Sequence, residues 1–182
     1  MNDQKLVQFD IATDSYRRRE YAAAVFPPEA RRGILSDWSI ARAVEIGLIE
    51  INPFDRVHVQ AASYDLMLAQ DLDLMPDDAV LADTIEHLWL PDTIVGILSG
   101  RSSIARQFVA VHCTGGYIDP GFDGTLTLEL KNLGREARSY KRGDRLAQIQ
   151  FAWLDRPALN PYHGRYQFQS GPTESRFEHG DQ

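Results

Sequence analysis

The sequence predicts a mainly β domain, a sandwich or a barrel, preceded by one short helix. From Leu48 onward, short apolar segments recur about every ten residues and are separated by Pro, Gly, Asn and Asp, the pattern of an all-β sandwich or barrel. Segment 125–131 alternates between polar and apolar residues, as a strand with one buried face does. The chain has 182 residues, 43% of them hydrophobic, which suffices for one core and predicts a single domain.

Two features precede the β-rich region. Residues 1–32 form a polar, charge-mixed extension in which a short helix around residues 21–25 is the one local signal. Ser36 is a candidate N-cap, and Gly47 is a suitable helix end. The helix between them carries one apolar face, formed by Ile40, Ala43 and Val44.

Five further segments have the composition of strands. They cover residues 63–68, 79–85, 93–98, 125–131 and 145–153. Turn residues at 133–134 and 142–144 bracket a shorter segment at 139–140. After Pro157 the periodicity is lost and the composition shifts to Tyr, Gln and Gly, which predicts a mobile tail.

Composition and charge argue against several classes of function. No apolar stretch approaches the ~18 residues of a membrane span, and residues 1–5 lack the basic start of a signal peptide. We therefore expect a cytoplasmic protein with no membrane partner. Cys113 is the sole cysteine, so neither a disulfide nor a thiolate zinc site is expected. A net charge of −7 argues against a nucleic-acid polymer as partner.

Residues 100–131 concentrate the reactive side chains of the chain. They include two arginines, a pair of serines and two carboxylates, namely Arg101, Arg106, Ser102, Ser103, Asp119 and Glu129. Carboxylates can activate water, while guanidinium and hydroxyl groups can hold a charged substrate. A solvated strand face, surface cations and turns would use the same residue types. The residues alone leave both interpretations open.

The order of several motifs resembles that of dCTP deaminase, a member of the trimeric dUTPase superfamily. The motifs are GRSSIAR at 100–106, HCT at 112–114, IDPGF at 118–122, GTLTLELKN at 124–132, GILSD at 33–37, INPFD at 51–55, VQAASYD at 59–65, PY at 161–162 and RYQFQSGPT at 165–173. The similarity extends over roughly residues 33–176. It implies a dUTPase-like distorted jelly roll with one or two short helices, assembled as a homotrimer with sites between subunits. It also implies three regions: an extension at 1–32, a β domain at 33–156 and a tail at 157–182 that closes over a nucleotide.

The resemblance assigns roles to individual residues. Glu129 would shuttle the proton of the attacking water without a metal, and Ser102 and Arg106 would position that water and stabilise the glutamate. Asp119 would accept a hydrogen bond from the deoxyribose 3′-hydroxyl. The implied substrate-binding residues are Arg101, Ser102, Ser103, Ile104, Ala105, Arg106, Asp119, Thr127, Leu128, Glu129, Tyr162, Arg165 and Gln169.

The resemblance also bears on cofactors and effectors. Magnesium is expected on the triphosphate of dCTP, and zinc is not expected because the His-x-Glu and Pro-Cys-x-x-Cys pattern of zinc deaminases is absent from the sequence. dTTP is a possible inhibitor, competing at the same pocket through a shift of the 111–116 loop.

One departure from the family pattern leaves the product open. Many members that release dUTP carry His-Arg just before the Ile-Asp pair, whereas this chain has Gly115, Gly116 and Tyr117. That stretch is closer to bifunctional members that form dUMP. A plain dUTPase would carry an apolar residue where Glu129 stands, and a silent nucleotide-binding regulator would have lost an acidic or basic site residue.

Overall fold

A computed structural model describes residues 24–27, 29 and 31–177 of the chain. Most of the predicted extension, including the start of the helix expected around 21–25, lies outside these ranges. The α-helices with described bounds are α1 (Asp37–Glu45) and α2 (Ser102–Ala105), and a 3₁₀ helix spans Arg56–His58. The strands are β1 (Glu50–Asn52), β2 (Val59–Gln60), β3 (Ser63–Met67), β4 (Leu72–Leu74), β5 (Ala79–Trp89), β6 (Ile94–Gly100), β7 (Val109–Ala110), β8 (Tyr117–Ile118), β9 (Asp123–Asn132), β10 (Arg138–Tyr140) and β11 (Arg145–Trp153). The fold is mainly β, as predicted.

The strands form two antiparallel sheets and a small ribbon. The four-stranded sheet has the order β1-β5-β9-β7, and the five-stranded sheet has the order β2-β3-β11-β6-β8. Strands β4 and β10 pair separately. All five predicted strands are present; β11 has the predicted bounds, whereas β5 and β9 are longer than predicted. None of the helices in the described ranges is long and apolar enough to cross a membrane.

The alternation predicted for β9 sets the direction of its side chains. Leu126, Leu128 and Leu130 are buried in the core, whereas Thr127 and Glu129 between them are only partly buried. Burying each leucine contributes about 1.5–3 kcal/mol, so the register of this strand is strongly determined. The hydrophobic pattern therefore holds Glu129 on the opposite face from the core.

Helix α1 begins and ends where the sequence indicates. The Ser36 hydroxyl accepts a hydrogen bond from the Ser39 amide at 3.4 Å, and Ile40 and Ala43 are fully buried. Gly47 follows with φ +67°, a conformation that glycine adopts without strain. Phe26, from the predicted extension, packs against Trp38 of this helix, with ring centroids 6.2 Å apart.

Candidate active site

A cavity of about 540 Å³ lies beside the polar face of β9. Its walls come from β5, β6, β8, β9, the 111–116 loop and the C-terminal tail. The lining residues are Leu81, Leu98, Gly115, Tyr117, Ile118, Asp119, Phe122, Leu126, Thr127, Glu129, Tyr162, Tyr166, Gln169, Thr173 and Ser175. The cavity therefore combines two carboxylates and several hydroxyl groups with aromatic and aliphatic walls.

The Glu129 carboxylate reaches the cavity between β5 and the 111–116 loop. Its Oε2 atom accepts a hydrogen bond from the backbone amide of Cys113 at 2.9 Å. A Cβ placed on Gly115 would lie 3.8 Å from Oε1, so this glycine leaves the second oxygen open on the loop side. Leu81, the register partner of Glu129 on β5, contributes an apolar wall. One carboxylate oxygen is thus held, and the other is available to a ligand.

Asp119 lines the same cavity directly after β8. Strand β8 pairs with β6, where Ile97 opposes Tyr117, so the sheet edge fixes the point at which the chain turns. The Phe122 amide donates to the Asp119 carbonyl at 3.1 Å and closes that turn. The structure therefore brings Asp119 and Glu129 to one cavity.

The C-terminal tail packs along β9 and covers the cavity. The Thr125 amide donates to the Gln169 carbonyl at 3.0 Å, and the Gln169 side-chain amide donates to the Thr125 carbonyl at 2.7 Å. Farther along, the Thr173 amide donates to the Thr127 hydroxyl at 3.2 Å. The tail lacks regular strands, as its sequence predicts, but these contacts hold it in place. Residues 161–173 thus have hydrogen-bond partners on β9 and on the β8–β9 turn.

Two glycines permit this close approach. A Cβ on Gly121 (φ +92°) would lie 2.8 Å from the Cβ of Pro161, and one on Gly124 (φ +153°) would lie 2.9 Å from the Gln169 carbonyl oxygen. Any larger side chain at either position would push the tail outward. The tail can lie this close to the β8–β9 turn and β9 because these positions carry no side chain.

We expect Gly124→Ala to release the tail from β9. The added methyl group collides with the Gln169 backbone, so trypsin cleavage after Arg165 and Arg176 should become about 10-fold faster. Gly143→Ala is the matched control, because Gly143 also has a positive φ (+91°) but a Cβ there meets nothing within 4 Å. Equal cleavage rates in both variants would contradict the role assigned to Gly124.

The GRSSIAR segment does not line this cavity. Ser102, Ser103 and Arg106 are exposed on and after α2, and Ile104 is buried beneath the helix. The Arg101 guanidinium bonds instead to Asp65 on β3, with Nε 3.1 Å from Oδ2. Register explains the separation: Leu98, which lines the cavity, points to the opposite face of β6 from Ser99, which shares the face of Asp65.

The remaining predicted residues fall into three places. Thr127, Tyr162 and Gln169 line the cavity, whereas Leu128 lies in the core and Ala105 is exposed in α2. Arg165 lies outside the cavity, where its Nη1 donates to the Arg176 carbonyl at 2.8 Å. Among the described residues that line the cavity, none is a lysine or arginine.

Several lining residues are not among the predicted site residues. Tyr166 and Thr173 lie within the 165–173 motif but were assigned no role of their own, and Leu81 and Leu98 resemble ordinary strand residues. Cys113, which is not a predicted site residue, contacts Glu129 through its backbone amide. Nothing in the sequence marks such a contact, because any residue other than proline supplies the same amide.

Comparison with solved structures shows that the fold is of the dUTPase-like β type. The structure is similar to that of 2′-deoxycytidine 5′-triphosphate deaminase from Agrobacterium tumefaciens, with a TM-score of 0.59, 21% identity, and coverage of 66% of this chain and 48% of that one. It is also similar to the native EIAV dUTPase, with a TM-score of 0.52, 21% identity, and coverage of 64% and 98%. At these identities the likeness concerns the fold.

Sequence similarity identifies the family within that class. Residues 67–154 match the dCTP deaminase-like family model. A dUMP-forming dCTP deaminase of Aquifex aeolicus (strain VF5) is 34% identical over 170 residues, covering 79% of this chain and 94% of the relative. A dCTP deaminase of Haloarcula marismortui is 33% identical over 185 residues, covering 80% and 95%. The chain belongs to the dCTP deaminase family.

Proposed function

We propose that this protein catalyses the hydrolytic deamination of dCTP to dUTP and ammonia. The observation that carries the proposal is the Glu129 carboxylate, held in the cavity by the Cys113 amide with one oxygen open. Relatives named dCTP deaminase support the choice of substrate. A carboxylate held at one oxygen suits a residue that must accept and then return a proton.

The reaction needs one group that first accepts a proton and then donates it. As the water oxygen bonds to C4 of cytosine, Glu129 takes a proton from the water. Glu129 then gives that proton to the exocyclic amino group, the C4–N bond breaks, and ammonia leaves. The remaining hydroxyl proton ends on N3 of the uracil ring. The Cys113 N–H stabilises the ionised glutamate at the start of the cycle.

The rest of the cavity suits a deoxynucleoside. In this proposal Asp119 accepts a hydrogen bond from the 3′-hydroxyl of the sugar, and Thr127 lies beside Glu129 on the same strand face. Tyr162 and Gln169, which line the cavity from the tail, cover the bound nucleotide. The apolar walls exclude water other than the one that reacts.

The phosphates require cations from another copy of the chain. No described residue that lines the cavity is a lysine or arginine, yet dCTP carries several negative charges. The GRSSIAR segment lies on the other face of β6, where Arg101 and the exposed Ser102, Ser103 and Arg106 can serve a neighbouring subunit. We therefore propose a homotrimer in which each site joins the Glu129 cavity of one subunit to this segment of the next.

Magnesium enters this proposal on the nucleotide. Asp119 and Glu129 offer the oxygen ligands that Mg²⁺ prefers, but the described residues contain no group of three side chains that could hold a metal ion. The ion would therefore take most of its ligands from phosphate oxygens and water. Its contribution is to neutralise phosphate charge.

The decisive experiment supplies dCTP with magnesium and follows ammonia, dUTP and dUMP together. Ammonia with dUTP is the expected result. Ammonia with dUMP would establish the second candidate, a coupled deaminase and diphosphatase, which the sequence 115–117 and the dUMP-forming relatives favour. Pyrophosphate from dUTP without ammonia from dCTP would make the protein a plain dUTPase and contradict deamination. Tight nucleotide binding with neither product would contradict catalysis.

The shared site is tested by mixing two inactive subunits. Glu129→Gln removes the proton acceptor and Arg106→Ala removes the neighbour's cation, so each variant alone should be inactive. When both are co-expressed in equal amounts, about a quarter of the sites in randomly mixed trimers join two intact halves and should regain activity. No recovery in mixed trimers would place both halves in one chain and contradict the shared site.

We further propose that dTTP inhibits the enzyme in the cytoplasm by competing for this cavity. The 111–116 loop, which holds Glu129 through Cys113, would shift to admit the thymine methyl group. dTTP binding without any loss of deamination rate would contradict this mode of inhibition.

A further inference from the structure

A polar row crosses the outer face of the five-stranded sheet. Asp65 on β3 opposes Gln148 on β11, which in turn opposes Ser99 on β6. Register partners share a face, and the neighbouring set of Tyr64, Ile149 and Leu98 points into the core instead. The row therefore lies on the same side of the sheet as the Arg101 guanidinium.

Asp65 is the buried member of this row. The residue is 1% exposed, and its Oδ2 atom lies 3.1 Å from Arg101 Nε, 3.3 Å from Arg145 Nη1 and 3.4 Å from Gln60 Nε2. Its Oδ1 atom has no partner among the described residues. A buried carboxylate is costly unless it is paired, so the two guanidinium groups compensate its charge.

Arg101 is fixed at two points. Besides the bond to Asp65, its Nη1 donates to the Arg145 carbonyl at 3.1 Å. This second contact ties the guanidinium to the start of β11, the strand that also carries the Arg145 side chain. The two guanidinium groups are therefore held together by Asp65 and by the backbone of Arg145.

The arginine pair keeps contact with solvent. The side chains of Arg101 and Arg145 are 28% and 37% exposed, and a guanidinium has five N–H donors, of which these internal bonds use few. Two cations on one carboxylate leave a local charge of +1 in a chain with a net charge of −7. Such a forked pair matches the oxygens of a phosphate chain.

We infer that Arg145 binds the phosphate chain together with Arg101, and that Asp65 is the positioning residue that holds the pair. This inference rests on the proposed function, which assigns Arg101 to the triphosphate. It adds a second cation from β11 and gives a role to a carboxylate that would otherwise repel the ligand. Asp65 acts through the arginines and does not contact the nucleotide.

Binding of inorganic triphosphate, measured by calorimetry on the full-length assembled protein, tests the role of Arg145 without turnover. Arg145→Ala should weaken binding about 10- to 100-fold. Arg42→Ala is the matched control, since Arg42 is 32% exposed and paired with Glu45 on α1; it should bind as the wild type does. Unchanged binding in Arg145→Ala would overturn the inference but leave the deamination proposal intact. Failure of the wild type to bind triphosphate would count against both.

The positioning role of Asp65 predicts the direction in which Asp65→Asn changes triphosphate binding. Removing a negative charge beside an anion site should by charge alone strengthen anion binding. If Asp65 positions the arginines, Asp65→Asn should instead weaken triphosphate binding about 10-fold, since the fork loses its geometry. Tighter binding in a folded Asp65→Asn protein would refute the positioning role. If Asp65→Asn does not fold, the ratio of the affinities for dCTP and dCMP is measured in Arg145→Lys instead. This ratio should fall below the wild-type value if the forked guanidinium of Arg145 binds the phosphates, and it should stay unchanged if it does not.

Discussion

Glu129→Gln is expected to lower ammonia release from dCTP by about 10²- to 10⁴-fold, the contribution of a positioned general acid-base group. The amide keeps the shape of the side chain, and its carbonyl oxygen can still accept the Cys113 amide bond. It cannot take a proton from water. Affinity for dCTP should therefore stay near that of the wild type, and the loss should appear in kcat.

The control for this prediction is Glu45→Gln on α1, an exposed glutamate paired with Arg42. It removes the same charge from the chain without touching the cavity and should leave both kcat and KM unchanged. A Glu129→Gln protein that is folded, binds dCTP and still releases ammonia at the wild-type rate would eliminate the proposed mechanism.

The strands and the orientation of Glu129 were predictable because each rests on local patterns. Alternation along 125–131 specifies which face of β9 is buried, and this places Glu129 away from the core before any tertiary contact is known. The Ser36 cap and Gly47 define α1 by the same kind of local chemistry. The predicted end of β5 at residue 85 was too early because residues 87–89 pair with β1 and with the start of β9, both of which lie far away in the sequence.

The grouping of the site residues was not predictable from spacing. Ser102 and Glu129 are close in sequence, yet one follows β6 in the five-stranded sheet and the other lies on β9 in the four-stranded sheet. The residue that contacts the Arg101 guanidinium is Asp65, which lies on a different strand and is separated from it by a long stretch of sequence. The side chains of Asp65 and Arg101 reach the same face of the sheet because β11 pairs with both β3 and β6.

The packing of the tail against β9 was not predictable from periodicity, for a different reason. Its contacts with β9 run mainly through backbone groups and the side chain of Gln169, so they leave no hydrophobic period. The sequence feature that allows these contacts is the pair of glycines at 121 and 124, but an ordinary turn would contain the same residues. A backbone that packs against glycine is visible only in three dimensions.

Glu86 is a buried carboxyl group that the proposed mechanism does not use. It lies on β5 within the irregular pairing between Asp83 and His87 and is fully buried. Its Oε2 atom accepts a hydrogen bond from the Met67 amide at 3.0 Å, while Oε1 has no partner in the described part of the chain. Burial raises the pKa of Glu86 from its ordinary value of 4.5 to about 7, with the Met67 amide opposing that rise.

The raised pKa of Glu86 makes folding stability depend on pH in a defined direction. Below pH 4.5 the group is protonated in both the folded and the unfolded chain, so its effect is absent. Between pH 4.5 and 7 the unfolded chain ionises while the folded chain stays protonated, so stability falls as pH rises. Above pH 7 the loss is complete and amounts to about 3 kcal/mol per subunit.

Glu86→Gln should therefore stabilise the protein at pH 8 by up to about 3 kcal/mol per subunit and leave its stability near pH 4.5 almost unchanged. Glutamine cannot ionise, and its carbonyl oxygen can accept the Met67 amide bond. Denaturant unfolding at one fixed protein concentration gives the free energy of unfolding of the variant and of the wild type at each pH. The difference between these two values cancels the titration of every other group. Glu45→Gln, which removes an exposed glutamate, should show no such pH-dependent gain. A constant difference between Glu86→Gln and the wild type from pH 4.5 to 8 would mean that Glu86 is ionised in the folded protein throughout, and that its second oxygen has found a partner that compensates the charge.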